Sequence, residues 1–223
     1  MSGKEPLFAL NPNPRGFVRM LGGRLPVLIV DDVFQDPAGL RSIALGLPYK
    51  PAGFHYPGRI AVPPGEDGSL ARFLDAVLSL VNSEYLPRIP TIAFNDRPIT
   101  AFGQIETDFA ITDVHPDELS QEQRRPHKDP VPVFGLVYLN REDRGGTLFF
   151  DDPAPGGGEK PRSGYCSAED PDYRLVGKIE GRFNRLAIYP GFVRHTGEIT
   201  GSWITGGDRF AAPRLTQRLI FTP

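Results

Sequence analysis

The sequence predicts a mainly β fold of the α+β type, in which an N-terminal layer with two helices covers a sheet that rolls up into a barrel. Three observations predict it. The 223 residues include 25 glycines and 24 prolines in a chain that is 39% apolar and 10% aromatic, a mixture that separates many short strands by turns and breaks helices. Helical periodicity is confined to the first hundred residues. Beyond residue 100 strand candidates follow one another without intervening helices, which disfavours a parallel α/β fold. A chain of this length builds one core before it splits, so 1–223 reads as a single domain, with 1–100 as a support layer and 101–223 as the core that carries the site.

The first strand is the apolar run Leu25-Pro26-Val27-Leu28-Ile29-Val30. Asp36-Pro37 then opens a short helix through Leu45, with the carboxylate as cap and proline at the first helical position, and Gly46 and Pro48 stop it. A second helix is expected over 69–84, because Leu70, Phe73, Leu74, Val77, Leu78 and Val81 fall on one stripe at helical spacing. Between the helices, the turn-rich Phe54-His55-Tyr56-Pro57-Gly58-Arg59 reads as a surface loop or a pocket wall. Further strands are expected at 101–111, 132–140, 146–151, 173–179, 184–190 and 214–222, with a long loop from Asp151 to Gly164.

A single cysteine, Cys166, excludes an internal disulfide and any thiolate cluster, so a metal site here must be built from imidazole and carboxylate. Four histidines are available: His55, His115, His127 and His195. Basic and acidic residues number 25 and 27 and are interspersed, which leaves no footprint for nucleic acid or an anionic membrane. The amino terminus lacks a basic-then-apolar leader, and no apolar run approaches the roughly 20 residues that span a bilayer. A cytoplasmic protein acting on a small-molecule or peptide substrate is the expectation.

His127-Lys128-Asp129 directly precedes the strand Val131 to Asn140. Residues i and i+2 of an extended chain point to one side, so this imidazole and carboxylate can reach the same ion. His195 follows the strand Asn184-Arg185-Leu186-Ala187-Ile188-Tyr189, whose end can present it to the same point. Two histidines and a carboxylate are the facial set that binds non-haem Fe(II) with positions left open. A second His-x-Asp, His115-Pro116-Asp117, runs into a polar segment without strand alternation and reads as a solvated loop or helix start.

In this order, His127-Lys128-Asp129, Tyr138-Leu139-Asn140, Gly145-Gly146-Thr147-Leu148 and Asn184 to Pro190 leading to His195 resemble the Fe(II)/2-oxoglutarate-dependent dioxygenase superfamily, especially its prolyl-hydroxylase-like branch. The resemblance spans roughly 100–222 and implies a double-stranded β-helix, the jelly-roll or cupin-like core. It implies that His127, Asp129 and His195 ligate Fe(II), that 2-oxoglutarate and O2 are co-substrates, and that Tyr138 hydrogen-bonds the distal carboxylate of 2-oxoglutarate. It also implies a hydroxylase that couples 2-oxoglutarate decarboxylation to C–H oxidation; the carboxylate of Asp129 disfavours halogenation.

The distal carboxylate needs a cation. In Arg214-Leu215-Thr216 a guanidinium and a hydroxyl share one strand face, and a planar fork suits a carboxylate. Arg214 lies farther beyond His195 than the family's corresponding residue, so either Gly197 to Pro213 is an inserted loop, whose Trp203 covers the pocket or packs over the sheet, or the anchor is Arg218 or Arg209. Two other readings stay open: a non-catalytic metal- or ligand-binding double-stranded β-helix, and a cupin-like dioxygenase that does not use 2-oxoglutarate. Segments 54–59, 112–126 and 197–213 are the expected substrate-facing parts.

Overall fold

The computed structural model describes residues 6–53, 56–89, 93–94, 97–141, 145–153, 163–199 and 214–223. Among these the chain is mostly β, with two helices. In order, it forms β1 (Arg15–Leu21), β2 (Leu25–Asp31), α1 (Pro37–Leu45), β3 (Lys50–Pro51), β4 (Gly58–Ala61), α2 (Ser69–Leu80), β5 (Ala93–Phe94), β6 (Arg97–Pro98), β7 (Gln104–Thr112), β8 (Val133–Tyr138), β9 (Thr147–Phe150), β10 (Leu175–Ile179), β11 (Arg185–Pro190), β12 (His195–Gly197) and β13 (Arg214–Thr222). No helix among the described residues is long and apolar enough to cross a membrane.

The helices form where local chemistry directs. The Asp36 carboxylate accepts the Gly39 amide at 2.8 Å and caps α1. In α2, Phe73 and Val77 are buried, and the stripe continues through Val81 in a π-helical turn over Val81–Tyr85. Full burial of a side chain such as Phe73 contributes about 2–3 kcal/mol.

One antiparallel sheet has the order β1-β2-β11-β8-β13-β7-β4-β3; a smaller one has the order β10-β9-β12. His127 pairs with His195 outside the named strands and so borders the small sheet. From β7 onward the chain alternates between the two: large (β7), small (His127), large (β8), small (β9, β10), large (β11), small (β12), large (β13). Strand alternation then sorts the side chains. Val133 and Val137 of β8, Leu186 and Ile188 of β11, and Leu215, Leu219 and Phe221 of β13 pack in one core with Leu40, Phe73 and Val77 of the helices. Their neighbours Phe134, Leu136, Tyr138, Ala187 and Tyr189 point the other way, into a second core with Phe149 and Ile179 of the small sheet.

β2 serves both cores, Leu28 and Val30 on one side and Val27 and Ile29 on the other, which explains its unbroken apolar run. β1 was not expected. Most of its residues are exposed, so it carries no apolar stripe and owes its place to pairing with β2. β12 has only three residues, too few for a periodic signal.

A buried ion pair ties β2 to β11. Arg185 donates from Nε to Asp31 Oδ1 at 2.6 Å and from Nη2 to Oδ2 at 3.1 Å, with both side chains under 10% exposed. Burial by itself would raise the Asp31 carboxyl, but the hydrogen bonds and charge of Arg185, with the charges of Arg182 and Arg15, hold it below the ordinary carboxylate range. Asp31→Ala is expected to cost about 3 kcal/mol, because it leaves the buried Arg185 guanidinium with only the half-exposed Glu180 carboxylate, 3.6 Å away, to face it. A carboxyl depressed on folding adds stability above its unfolded pKa and loses it as pH falls through the folded one. The gap between wild type and variant in urea melts should therefore shrink below about pH 4; a gap independent of pH would contradict this account.

Candidate metal centre

His127, Asp129 and His195 converge. One ligand atom from each lies within 4.8 Å of the others. The pairing of His127 with His195 brings this about: His127 N donates to His195 O at 2.9 Å, and His195 N to His127 O at 2.8 Å. The Asp129 amide donates to Gly191 O at 2.8 Å, which fixes the carboxylate on the histidines' side. Asp129 Oδ1 lies 3.7 Å from His127 Nε2, and Oδ2 lies 3.2 Å from His195 Nε2.

The hydrogen-bond chemistry of this cluster fits a cation. His195 Nδ1 is 2.8 Å from the carbonyl oxygen of Val193. A carbonyl only accepts, so Nδ1 carries the proton and neutral His195 turns the lone pair of Nε2 toward Asp129. Asp129 Oδ2 is buried and receives no well-directed hydrogen bond from the described residues. Two lone pairs facing each other in a buried place call for a positive charge between them. Burial pushes the Asp129 carboxyl up, but positive charge on the facing imidazoles, and then that of Arg218, outweighs burial and holds the carboxyl below its ordinary value; a cation held between Asp129 and a neutral His195 would act on the carboxyl in the same direction.

The second His-x-Asp does none of this. His115 Nδ1 accepts the Asp117 amide at 3.2 Å and caps a single helical turn, with Asp117 88% exposed. His55, Arg209 and Trp203 lie outside the described residues, as does most of the 197–213 segment.

The triad opens on a chamber of about 350 Å³ whose wall includes Tyr56, Phe134, Leu136, Thr147, Tyr189, Arg214, Thr216 and Arg218. Arg214 and Thr216 share the chamber face of β13, and Arg218 joins them. The two arginines differ in what holds them. Arg214 is buried; Nε donates to Gly145 O at 2.8 Å and Nη2 to Gly146 O at 3.3 Å, and no carboxylate pairs with it among the described residues. Those carbonyls are available because the turn is tight: Gly145 has φ +76°, and a Cβ on Gly146 would collide with the carbonyl of Ile179. Arg218 is bound at both ends of its fork by Asp108, Nε to Oδ1 at 2.7 Å and Nη2 to Oδ2 at 2.5 Å. Thr216 Oγ1 is buried and has no hydrogen-bond partner among the described residues.

Tyr138 is fully buried, and its hydroxyl lies 2.7 Å from Thr147 Oγ1. Thr147, rather than Tyr138, forms part of the chamber wall. Burial raises the Tyr138 phenol against the opposing charge of Arg214, so it stays protonated and can donate to Thr147. Sequence reasoning assigned Thr147 no role, although it directly follows the glycine pair and alternates with Phe149 on the inward face of β9. Tyr56, from the expected substrate-facing segment, lines this chamber and the adjoining cavity of about 500 Å³ with Gln123 and Tyr165.

Residues 12–157 and 154–221 match the model of a family described as Family of unknown function (DUF6445). The chain belongs to that family. No curated protein matches this DUF6445 chain. Among solved structures it is similar to a prolyl-4-hydroxylase of Pseudomonas putida, with 17% identity over 78% of this chain and 76% of that one and a TM-score of 0.39. It is also similar to HygX of Streptomyces hygroscopicus, described with nickel, 2-oxoglutarate and hygromycin B bound, with 15% identity over 88% and 82% of the two chains and a TM-score of 0.47.

Proposed function

We propose that this DUF6445 protein is an Fe(II)- and 2-oxoglutarate-dependent oxygenase, a hydroxylase of a small-molecule or peptide substrate. The observation that carries the reading is one chamber holding both a two-histidine, one-carboxylate cluster and, on its wall, a buried arginine without a carboxylate partner among the described residues. Each half has a separate use: the cluster suits Fe(II) and leaves coordination positions for exogenous ligands, and the guanidinium suits a carboxylate. The alternation of the chain between two sheets from β7 to β13 supports a double-stranded β-helix.

Iron held by His127, Asp129 and His195 would supply the oxidation, with 2-oxoglutarate and O2 converted to succinate and CO2, one oxygen atom of O2 going to succinate and the other to a substrate C–H bond. The chain's residues do the rest. His127, Asp129 and His195 hold the metal, and the Val193 carbonyl keeps His195 in the ligating tautomer. Arg214 anchors the distal carboxylate, with Thr216 and the Tyr138-backed Thr147 as hydroxyl partners. Phe134, Leu136 and Tyr189 make the wall apolar and exclude water, which strengthens each of these interactions.

Anaerobic titration with 2-oxoglutarate tests the proposal. Binding should depend on Fe(II) or Mn(II), and oxygen should then release succinate slowly without added substrate. Binding that Fe(II) or Mn(II) does not tighten, or a metal-loaded protein that forms no succinate, would contradict it.

A further inference from the structure

We infer that Asp108 is a specificity-determining residue: by holding the guanidinium of Arg218 on the chamber wall, it leaves Arg214 as the single anion anchor among the described residues of that wall. The chamber is thereby set for a ligand with one distal carboxylate. This rests on the reading of Arg214 as that anchor and goes beyond it, because Arg218 is a second arginine on the same strand face that also lines the chamber.

The register of the large sheet places Arg218 of β13 directly opposite Asp108 of β7. The pair is bidentate, and both side chains are less than 20% exposed. The guanidinium also lies over the Tyr56 ring, 5.3 Å from its centroid, so the fork is held by acid and ring together. A guanidinium satisfied by a planar carboxylate in a partly desolvated place has little to gain from a second anion, whereas Arg214, held by two carbonyls and 5.8 Å from the centroid of the Tyr138 ring, has no carboxylate among the described residues to compensate its charge. Had Asp108 been neutral, the wall would present two cationic forks and would favour ligands with more anionic groups, or bind small inorganic anions in competition. Asp108 therefore acts on the ligand through Arg218.

Glutarate and inorganic sulfate, titrated into the metal-free protein, are suitable probes. Arg214→Gln should weaken glutarate binding at least ~10-fold, the worth of a charge-assisted hydrogen bond. The charge-neutral double variant Asp108→Asn/Arg218→Gln should bind glutarate within about twofold of wild type, since by this inference the pair anchors nothing. Asp108→Asn alone should tighten sulfate binding by about 10-fold, and adding Arg218→Gln should abolish the gain. Loss of glutarate binding in a folded double variant, equal to that of Arg214→Gln, would make Arg218 an anchor and overturn the inference. So would a folded Asp108→Asn protein without the sulfate gain. Glutarate binding untouched by Arg214→Gln would instead overturn the assignment of Arg214, leaving the two failures distinguishable.

Discussion

Asp129→Ala and His195→Ala are each expected to reduce substrate-independent succinate formation to background, a loss of at least ~100-fold, and to abolish metal-dependent 2-oxoglutarate binding. Outer groups that merely orient a metal's ligands change affinity by roughly 10–100-fold, so removing a ligand from a set of three should exceed that range. The expected pattern is more specific than a loss of activity. A ligand that binds only the folded protein raises its melting temperature, so Mn(II) should stabilise wild type and leave both variants unmoved. The apo fold should survive Asp129→Ala, because Oδ2 makes no directed hydrogen bond that the protein would lose. His195→Ala removes a ring packed near Phe149 and Tyr189 and should lower apo stability more. Full succinate formation by a folded Asp129→Ala protein would remove the triad from the mechanism.

The second large effect is expected at Arg214. Arg214→Gln should raise the dissociation constant of 2-oxoglutarate by about 30-fold or more, since truncating one partner of a buried charged contact costs about 2–5 kcal/mol. Mn(II) affinity should stay near wild type, because Arg214 is no part of the triad. Arg214→Lys should recover only part of the loss: it keeps the charge but lacks the planar fork that can bind the Gly145 carbonyl and a carboxylate together. The same substitution frees the Gly145-Gly146 turn, so the melting temperature is the control. A fall in stability with unchanged 2-oxoglutarate affinity would mean that Arg214 serves only to brace that turn.

Much of the fold was legible because its signals are local. Helix α1 was marked by Asp36-Pro37 and α2 by a stripe of apolar residues, and each strand expected beyond residue 100 has a counterpart within a few residues. The strands that escaped notice, β1, β3, β4, β5, β6 and β12, are short or lack an apolar face; β1, β4 and β12 are held by pairing with β2, β7 and β9, while β3 pairs with β4 and β5 with β6. At the site, the two His-x-Asp sequences look alike as text. Only the strand context separated them, and in space His127 pairs with His195 whereas His115 caps a turn. The Arg-x-Thr pattern placed Arg214, Thr216 and Arg218 on one face, since alternation is a property of the strand alone.

The sequence by itself therefore determined which residue types face the chamber and what chemistry they can do. The tertiary structure decided which of them are committed elsewhere. Arg218 is engaged because β7 lies beside β13 and sets Asp108 opposite it. Thr147 stands on the chamber wall with Tyr138 behind it because β9 belongs to the small sheet and β8 to the large one. Arg218 and Asp108 are 110 residues apart, and Thr147 and Tyr138, though only nine apart, lie in different sheets. Their partners follow from sheet order and register, which depend on how the whole core packs rather than on any local run of residues.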